Sequence, residues 1–178
     1  IRTGSDTCAR AGAVNRIDRE TSGVVLVAKN PEALAAFQRM FRDRTVHKAY
    51  TAIAHKGPNV LPDCIDMPVG RDRQSSIPYK HAVTESGKPA RTRVISCTPL
   101  AQGTVSLELE PLTGRTHQLR VQCAALGYTL VGDKLYGLSE ETYVRWRDKP
   151  EAHADLLEYP RQMLHCRSVM LEHPFLRR

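Results

Sequence analysis

One stretch near the start of the chain, Asn15-Arg16-Ile17-Asp18-Arg19-Glu20-Thr21-Ser22-Gly23, sets Asp18 between two arginines in a polar, turn-forming loop that runs directly into an aliphatic segment. A loop carboxylate of this kind commonly caps a turn or pairs with a neighbouring arginine and does nothing more. Fixed in a cleft, the same group can attack an electrophilic carbon or take a proton, and an adjacent guanidinium favours the anion those steps require. A second stretch, Leu112-Thr113-Gly114-Arg115-Thr116-His117-Gln118-Leu119-Arg120, brings a glycine and two arginines to the expected start of a helix. Free backbone amides and the helix dipole attract anions there, so a phosphate site and a plain surface cap both fit. Thr116, His117 and Arg120, spaced by three and four, fall on one helical edge, with Arg115 at the terminus. Tyr50 lies in a strand-like segment, where a tyrosine serves as core packing or as a platform for a flat ligand.

The elements that must position these residues follow from periodicity. Residues 24–28, Val-Val-Leu-Val-Ala, read as a buried strand, and Asn30-Pro31 supplies an N-cap followed by proline at the first helical position. Leu34, Phe37, Met40 and Phe41 then repeat at helical spacing, which predicts an apolar face packed on a sheet. Residues 47–54, 92–97 and 104–110 have strand character, the last by strict alternation of Val105, Leu107 and Leu109 with polar residues. A second helix is expected over about 116–126, with Leu119, Cys123 and Leu126 on one face, a polar opposite face and Gly127 as its stop. A further helix over 140–147 and a final strand over 164–171 complete the pattern. Residues 57–93, rich in Pro, Gly and Ser, read as an elaborated surface loop with short strands. Strands outnumber helices without a βαβαβ rhythm. The expected class is therefore α+β, a mostly antiparallel or mixed sheet with flanking helices and a central cleft.

Composition bounds the function classes. The 178 residues, 41% hydrophobic and 25% charged, suit one globular domain spanning 1–178 with its own core. Lys plus Arg number 26 against 19 Asp plus Glu, a formal charge of +7, which favours a polyanionic partner. Five cysteines, Cys8, Cys64, Cys97, Cys123 and Cys166, are scattered without a CxxC pair, which disfavours a zinc site and fits a reducing, cytoplasmic setting. No apolar run approaches membrane-spanning length, and no basic start followed by an apolar stretch opens the chain. The chain opens without Met and its first clear strand follows Gly23, the pattern expected of a trimmed N-terminus.

Taken in order, residues 15–28, Lys48-Ala49-Tyr50-Thr51-Ala52, Gly114-Arg115-Thr116-His117-Gln118-Leu119-Arg120-Val121, Leu130-Val131-Gly132-Asp133-Lys134-Leu135-Tyr136-Gly137, and Leu164-His165 with His173-Pro174 form a set of five motifs. The chain strongly resembles the RluA-like pseudouridine synthases from about Asn15 to Phe175. It departs from the family pattern at Asn15, where His is usual, and at Ile17, where Leu is more common. Neither change removes the carboxylate or Arg16, and Asn retains hydrogen-bonding capacity in a turn.

The resemblance implies an isomerase converting uridine to pseudouridine in ribosomal or transfer RNA. It implies no metal, nucleotide or organic cofactor, no membrane and no obligate protein partner, and a monomer. Asp18 matches the catalytic aspartate, and Arg16 matches the arginine that fills the gap left in the RNA stack. Tyr50 matches the tyrosine packed on the target base, and Arg120 the basic residue paired with the carboxylate. Arg115 and His117 are assigned to substrate or phosphate contact. Asp18 could attack C1′ of the ribose or assist loss of the 2′ proton, and the sequence leaves both routes open. Base flipping costs a few kcal/mol, which a filler and an aromatic floor help to offset.

Three rival readings fit the sequence less well. A catalytically silent RNA-binding or RNA-folding protein has no need of a carboxylate beside an anionic ligand. A serine hydrolase built on Ser22 with His117 or His165 lacks the glycine two residues before the serine, where Glu20 stands. A zinc site from Cys123, His165 and Cys166 fails because adjacent strand residues point to opposite faces.

Overall fold

The computed structural model describes residues 11–176; Cys8 lies outside them. Nine-residue strands β4 (His47–His55) and β8 (Arg91–Pro99) and the eight-residue β9 (Thr104–Pro111) form the centre of one six-stranded sheet. Its other members are β10 (Leu164–Met170), the short β2 (Ser22–Gly23) and β5 (Cys64–Asp66), in the order β2-β10-β4-β9-β8-β5. All neighbours run antiparallel except β2 and β10, which are parallel, so the sheet is mixed and the fold is α+β. Two small antiparallel pairs flank it: β1 (Gly12–Ala13) with β3 (Val27–Ala28), and β6 (Val69–Arg71) with β7 (His81–Val83).

The period-two alternation of β4 and β9 has a direct cause in burial. Tyr50, Ala52 and Ala54 from β4 and Val105, Leu107 and Leu109 from β9 turn to one face, where they meet Leu119 and Cys123 of α2 (Gln118–Ala125) together with Tyr128 and Leu130. A fully buried aliphatic side chain in such a cluster contributes about 1.5–3 kcal/mol. The opposite face is polar, with Thr51 donating to Glu108 at 2.7 Å and Arg93 paired with Glu110 at 2.8 Å. Two more helices follow α2: the four-residue α3 (Lys134–Gly137) and α4 (Glu140–Asp148), the latter capped by Ser139 and succeeded by a 3-10 segment, Glu151–Leu156. Among the described residues no helix is long and apolar enough to cross a membrane.

Three expectations need correction. Residues 24–28 are not one buried strand: Val25 and Val27 are exposed, and the chain leaves the sheet edge to pair β3 with β1. An edge segment passing from one sheet to another has no second layer to cover it, so its apolar character does not bring burial. Helix α1 (Pro31–Arg42) forms where expected, with Asn30 Oδ1 accepting from the Ala33 amide, yet none of its residues is buried, because its apolar face packs mainly on the small β1–β3 pair, with Phe37 edge-on to His173. Residues 57–93 are more than surface: Leu61, Ile65, Val69 and Ile77 are buried and tie this segment to the sheet, to α2 and to α3–α4.

Candidate active site

The loop bearing Asp18 is pinned on both sides of it. Ile17 packs against the main core, and the Thr21 amide donates to the Asp18 carbonyl at 2.9 Å to close a turn. Buried Gln162 donates to the Thr21 hydroxyl at 2.7 Å, and Lys134 Nζ donates to both Glu20 oxygens at 2.7 Å and to the Pro160 carbonyl at 2.6 Å. Gly23 ends the loop with φ +121, in the region that favours glycine, and a Cβ there would run into the backbone of Cys166. Asn15, the departure from the family pattern, accepts from the Leu26 amide at 2.8 Å and so braces the loop from its other end.

Opposite this loop, residues 112–117 are shaped by buried glutamines. Gln118 Oε1 accepts from the Thr113 hydroxyl at 2.7 Å and from the Arg115 amide at 3.1 Å, while its Nε2 donates to the Arg91 carbonyl and the Thr92 hydroxyl, each at 2.9 Å. Gln122 continues the series toward Thr92, Ala90 and Met67. The polar face expected of α2 is therefore present but buried, and every such group needs its partner. Helix α2 begins only at Gln118, so Thr116 and His117 precede it and do not share a helical edge with Arg120. His117 instead sits in the left-handed region, φ 56, a conformation that costs energy in most residues and concentrates at functional sites.

Arg120 is the pivot. Its Nε and Nη2 donate to Asp133 Oδ2 and Oδ1 at 2.7 and 2.8 Å, a bidentate fork, and its Nη1 reaches Asp18 Oδ2 at 3.3 Å. The expected pairing with Asp18 is present, but Asp133 is the stronger partner and was not assigned a role from the sequence. Asp133 also caps α3, accepting from the Leu135 and Tyr136 amides at 3.1 Å each. Gly132, with φ +74, lets the chain turn there, where a Cβ would strike the Arg161 carbonyl. Burial alone would lower the pKa of Arg120; the hydrogen bonds and charge of Asp133, with the charge of Asp18, more than reverse this and hold it charged. Its guanidinium carbon also stands 5.0 Å from the centroid of the Tyr136 ring.

Together these segments enclose a cleft of about 270 Å³ lined by Arg16, Asp18, Tyr50, Arg115, His117 and Arg120. All six residues singled out in the sequence thus meet in one place. Tyr50 is 9% exposed, and burial foremost, with Cys166 beside it, pushes its hydroxyl well above the ordinary range. His117 accepts or donates to the Tyr136 hydroxyl through Nδ1 at 2.8 Å and meets His81 edge-on. Burial first, then Arg120, lower its pKa to about 4, so the ring is neutral at pH 7. Arg115 Nε donates to the Pro89 carbonyl at 3.0 Å, while Arg16 is exposed and makes no ion pair among the described residues. Lys48, also missed, lines the same cleft, and burial lowers its pKa. Asp133 could have been found as an N-cap acid after glycine; Lys48 carries no comparable signal beyond its place beside Tyr50.

The rival constellations fare differently. Ser22 Oγ does lie 2.9 Å from His165 Nδ1, but neither residue lines the cleft, and among the described residues no carboxylate bonds the other ring nitrogen. Cys123 and Cys166 are sealed in the core, burial pushing Cys123 up to about 12, and His165 faces outward. Among the described residues no cluster of metal-ligating side chains occurs.

The chain that builds this cleft has known relatives. Residues 3–125 match the family model described as RNA pseudouridylate synthase. The chain belongs to that family. It is 34% identical to the dual-specificity RNA pseudouridine synthase RluA of Escherichia coli over 165 residues, covering 93% of this chain and 68% of the relative. It is 35% identical to the ribosomal large subunit pseudouridine synthase D of Nitrosomonas europaea, covering 93% of this chain and 45% of the relative. Among solved structures, human RNA pseudouridylate synthase domain containing 1 superposes with a TM-score of 0.68 at 30% identity, covering 88% of this chain and 62% of that one. The chain thus spans between about half and two thirds of the synthases it matches.

Proposed function

We propose that this chain isomerises uridine to pseudouridine within RNA, with Asp18 as the catalytic residue. The observation that carries the reading is the placement of Asp18: one oxygen accepts from Arg120 at 3.3 Å, and among the described residues no other side-chain hydrogen bond engages the carboxylate. Asp18 is thereby oriented while Oδ1 stays available, the state a nucleophile or base requires. The uracil is received by Tyr50, whose ring lies in the cleft wall, and Arg16 enters the gap the flipped nucleotide leaves. Attack of Asp18 at C1′, or its assistance to loss of the 2′ proton, breaks the N1 glycosidic bond. The uracil then turns in the enclosed cleft and its C5 attacks C1′, displacing the Asp18 carboxylate on the first route or with return of the proton to C2′ on the second; C5 finally loses its hydrogen to solvent and N1 gains a proton. Arg115, with Nη atoms unengaged among the described residues, and Lys48 meet the adjoining phosphates. Neutral His117 orients the Tyr136 hydroxyl and the substrate edge.

The substrate is ribosomal or transfer RNA, and a single copy of the chain acts on it; the +7 charge supports the polyanionic partner. The test is incubation with ribosomal and transfer RNA transcribed with C5-tritiated uridine. Tritium release with pseudouridine in the nuclease digest is the expected result. Binding of both RNAs without release of tritium would favour the silent RNA-binding reading instead.

A further inference from the structure

Beyond the cleft, on the other side of Asp18 and Arg120, lies a second and larger cavity of about 870 Å³. Arg16, Asp18, His117 and Arg120 line both, so the two adjoin at the catalytic loop and a strand seated in one passes beside the other. The far wall of the second cavity is aromatic. It carries Tyr79, Tyr143 and Trp146, brought there by the packing of Ile77 on Leu135 and Tyr143.

These rings are not equivalent. Tyr143 is buried, and one side of Trp146 is occupied by Lys134, whose Nζ stands 5.0 Å from the ring centroid. Tyr79 is 45% exposed, yet its hydroxyl is tethered at 2.9 Å to that of Tyr143. An open ring with a fixed orientation is the arrangement that stacks a base at small entropic cost. Charge on the rim comes from Arg16 and Arg19 of the catalytic loop, both exposed and without an ion pair among the described residues. Of the acids at hand, Glu20 has both oxygens bound by Lys134, and the charge of Asp18 is faced by Arg120.

We infer that this cavity is a subsite for a second unstacked nucleotide of the same RNA, its base on Tyr79 and its phosphate on Arg19. The inference deepens the proposed function and rests on it for the identity of the strand. The occupant is RNA because the cavity shares lining residues with the cleft, pairs an exposed aromatic face with cations and stands on a basic chain.

The probe is a fluorescently labelled oligouridylate hexamer. Trp146 is the sole tryptophan, so its emission reports the second cavity directly. Binding seen by anisotropy is expected to quench Trp146. Tyr79→Ala is expected to weaken binding about ten-fold, the scale of one lost base–aromatic stack, while Tyr79→Phe retains most of the affinity. Arg19→Ala, which leaves the aromatic wall untouched, is expected to flatten the slope of log affinity against log salt by about 0.7. Binding that leaves Trp146 emission unchanged, or a folded Tyr79→Ala protein that binds as the wild type does, overturns the subsite. So does the absence of any hexamer binding. Absence of pseudouridine formation in the tritium assay is a separate readout and bears on Asp18, not on this cavity.

Discussion

Asp133 and Arg120, each under 10% exposed, stand behind the cleft with their charges satisfied by a fork and two helix amides, whereas no residue of α1 at the N-terminal corner is buried. The corner is held by half-buried contacts, such as Leu34 over Gly12 and the edge of Phe37 against His173, which can shift without leaving any polar group stranded. Behind the cleft the opposite holds: a buried charge that loses its partner keeps its desolvation cost, so the network admits essentially one arrangement. Geometry that must be fixed to a fraction of an ångström has been built from charge, and geometry that need only support the chain has been built from adaptable apolar surface. Glu20 sharpens the contrast within one loop. Its two oxygens are both bound by Lys134, while Asp18, two residues earlier, is touched through one oxygen only.

The largest effect is expected from Arg120→Ala. It strips Asp133 of its fork and Asp18 of its orienting donor, so stability should fall by about 3–5 kcal/mol in urea titrations. The single-turnover rate at saturating RNA should fall by about 10²–10³, more than binding weakens. A destabilised variant whose folded fraction still turns over normally would make the network a scaffold only. Lys134→Met comes next. It leaves Glu20 without its ammonium, and a loss of about 1–3 kcal/mol is expected, with a slower chemical step because the turn carrying Asp18 loosens. An unchanged rate would show that Ile17 and Thr21 hold the loop unaided.

His117 tests the cleft wall through pH. Its pKa falls from 6.5 unfolded to about 4 folded, so the unfolded chain binds the proton more readily. Its contribution to stability is full above pH 6.5 and is lost as pH falls from 6.5 through 4. His117→Asn, which tolerates the left-handed backbone, should remove that part of the acid-side slope. A slope unchanged in the variant would assign it to other groups. The smallest effect belongs to the corner: Asn30→Ala deletes the α1 cap and should cost about 1 kcal/mol with the turnover rate preserved. A rate loss there would break the contrast between the two regions.

Much of the frame could be read from sequence because its causes are local. Alternation in β9 reports a sheet with one buried face, and Asn30-Pro31 reports a helix start wherever it occurs. The six site residues emerged because their motifs recur in family order, on two charged loops for Arg16, Asp18, Arg115 and His117, on strand β4 for Tyr50 and on helix α2 for Arg120. What escaped depends on contacts between distant residues. Asp133 takes its importance from Arg120, thirteen residues earlier, and from a pairing that no spacing rule encodes. The exposure of Val25 and Val27 reflects the absence of a covering layer, which an aliphatic run cannot announce. Gln118 and Gln122 look like solvent-facing helix positions until the segment 57–93 closes over them.

The most direct measurement is single-turnover tritium release by Asp18→Asn beside the wild type, with RNA affinity and urea stability determined on the same preparations. Asn keeps the size and one acceptor but cannot act as nucleophile or base. Pseudouridine formation should vanish while the fold persists and RNA binding, carried by phosphate contacts, stays near the wild-type level. Turnover close to wild type in the folded, RNA-binding variant would contradict the assignment of Asp18 and require another group in the cleft to start the reaction.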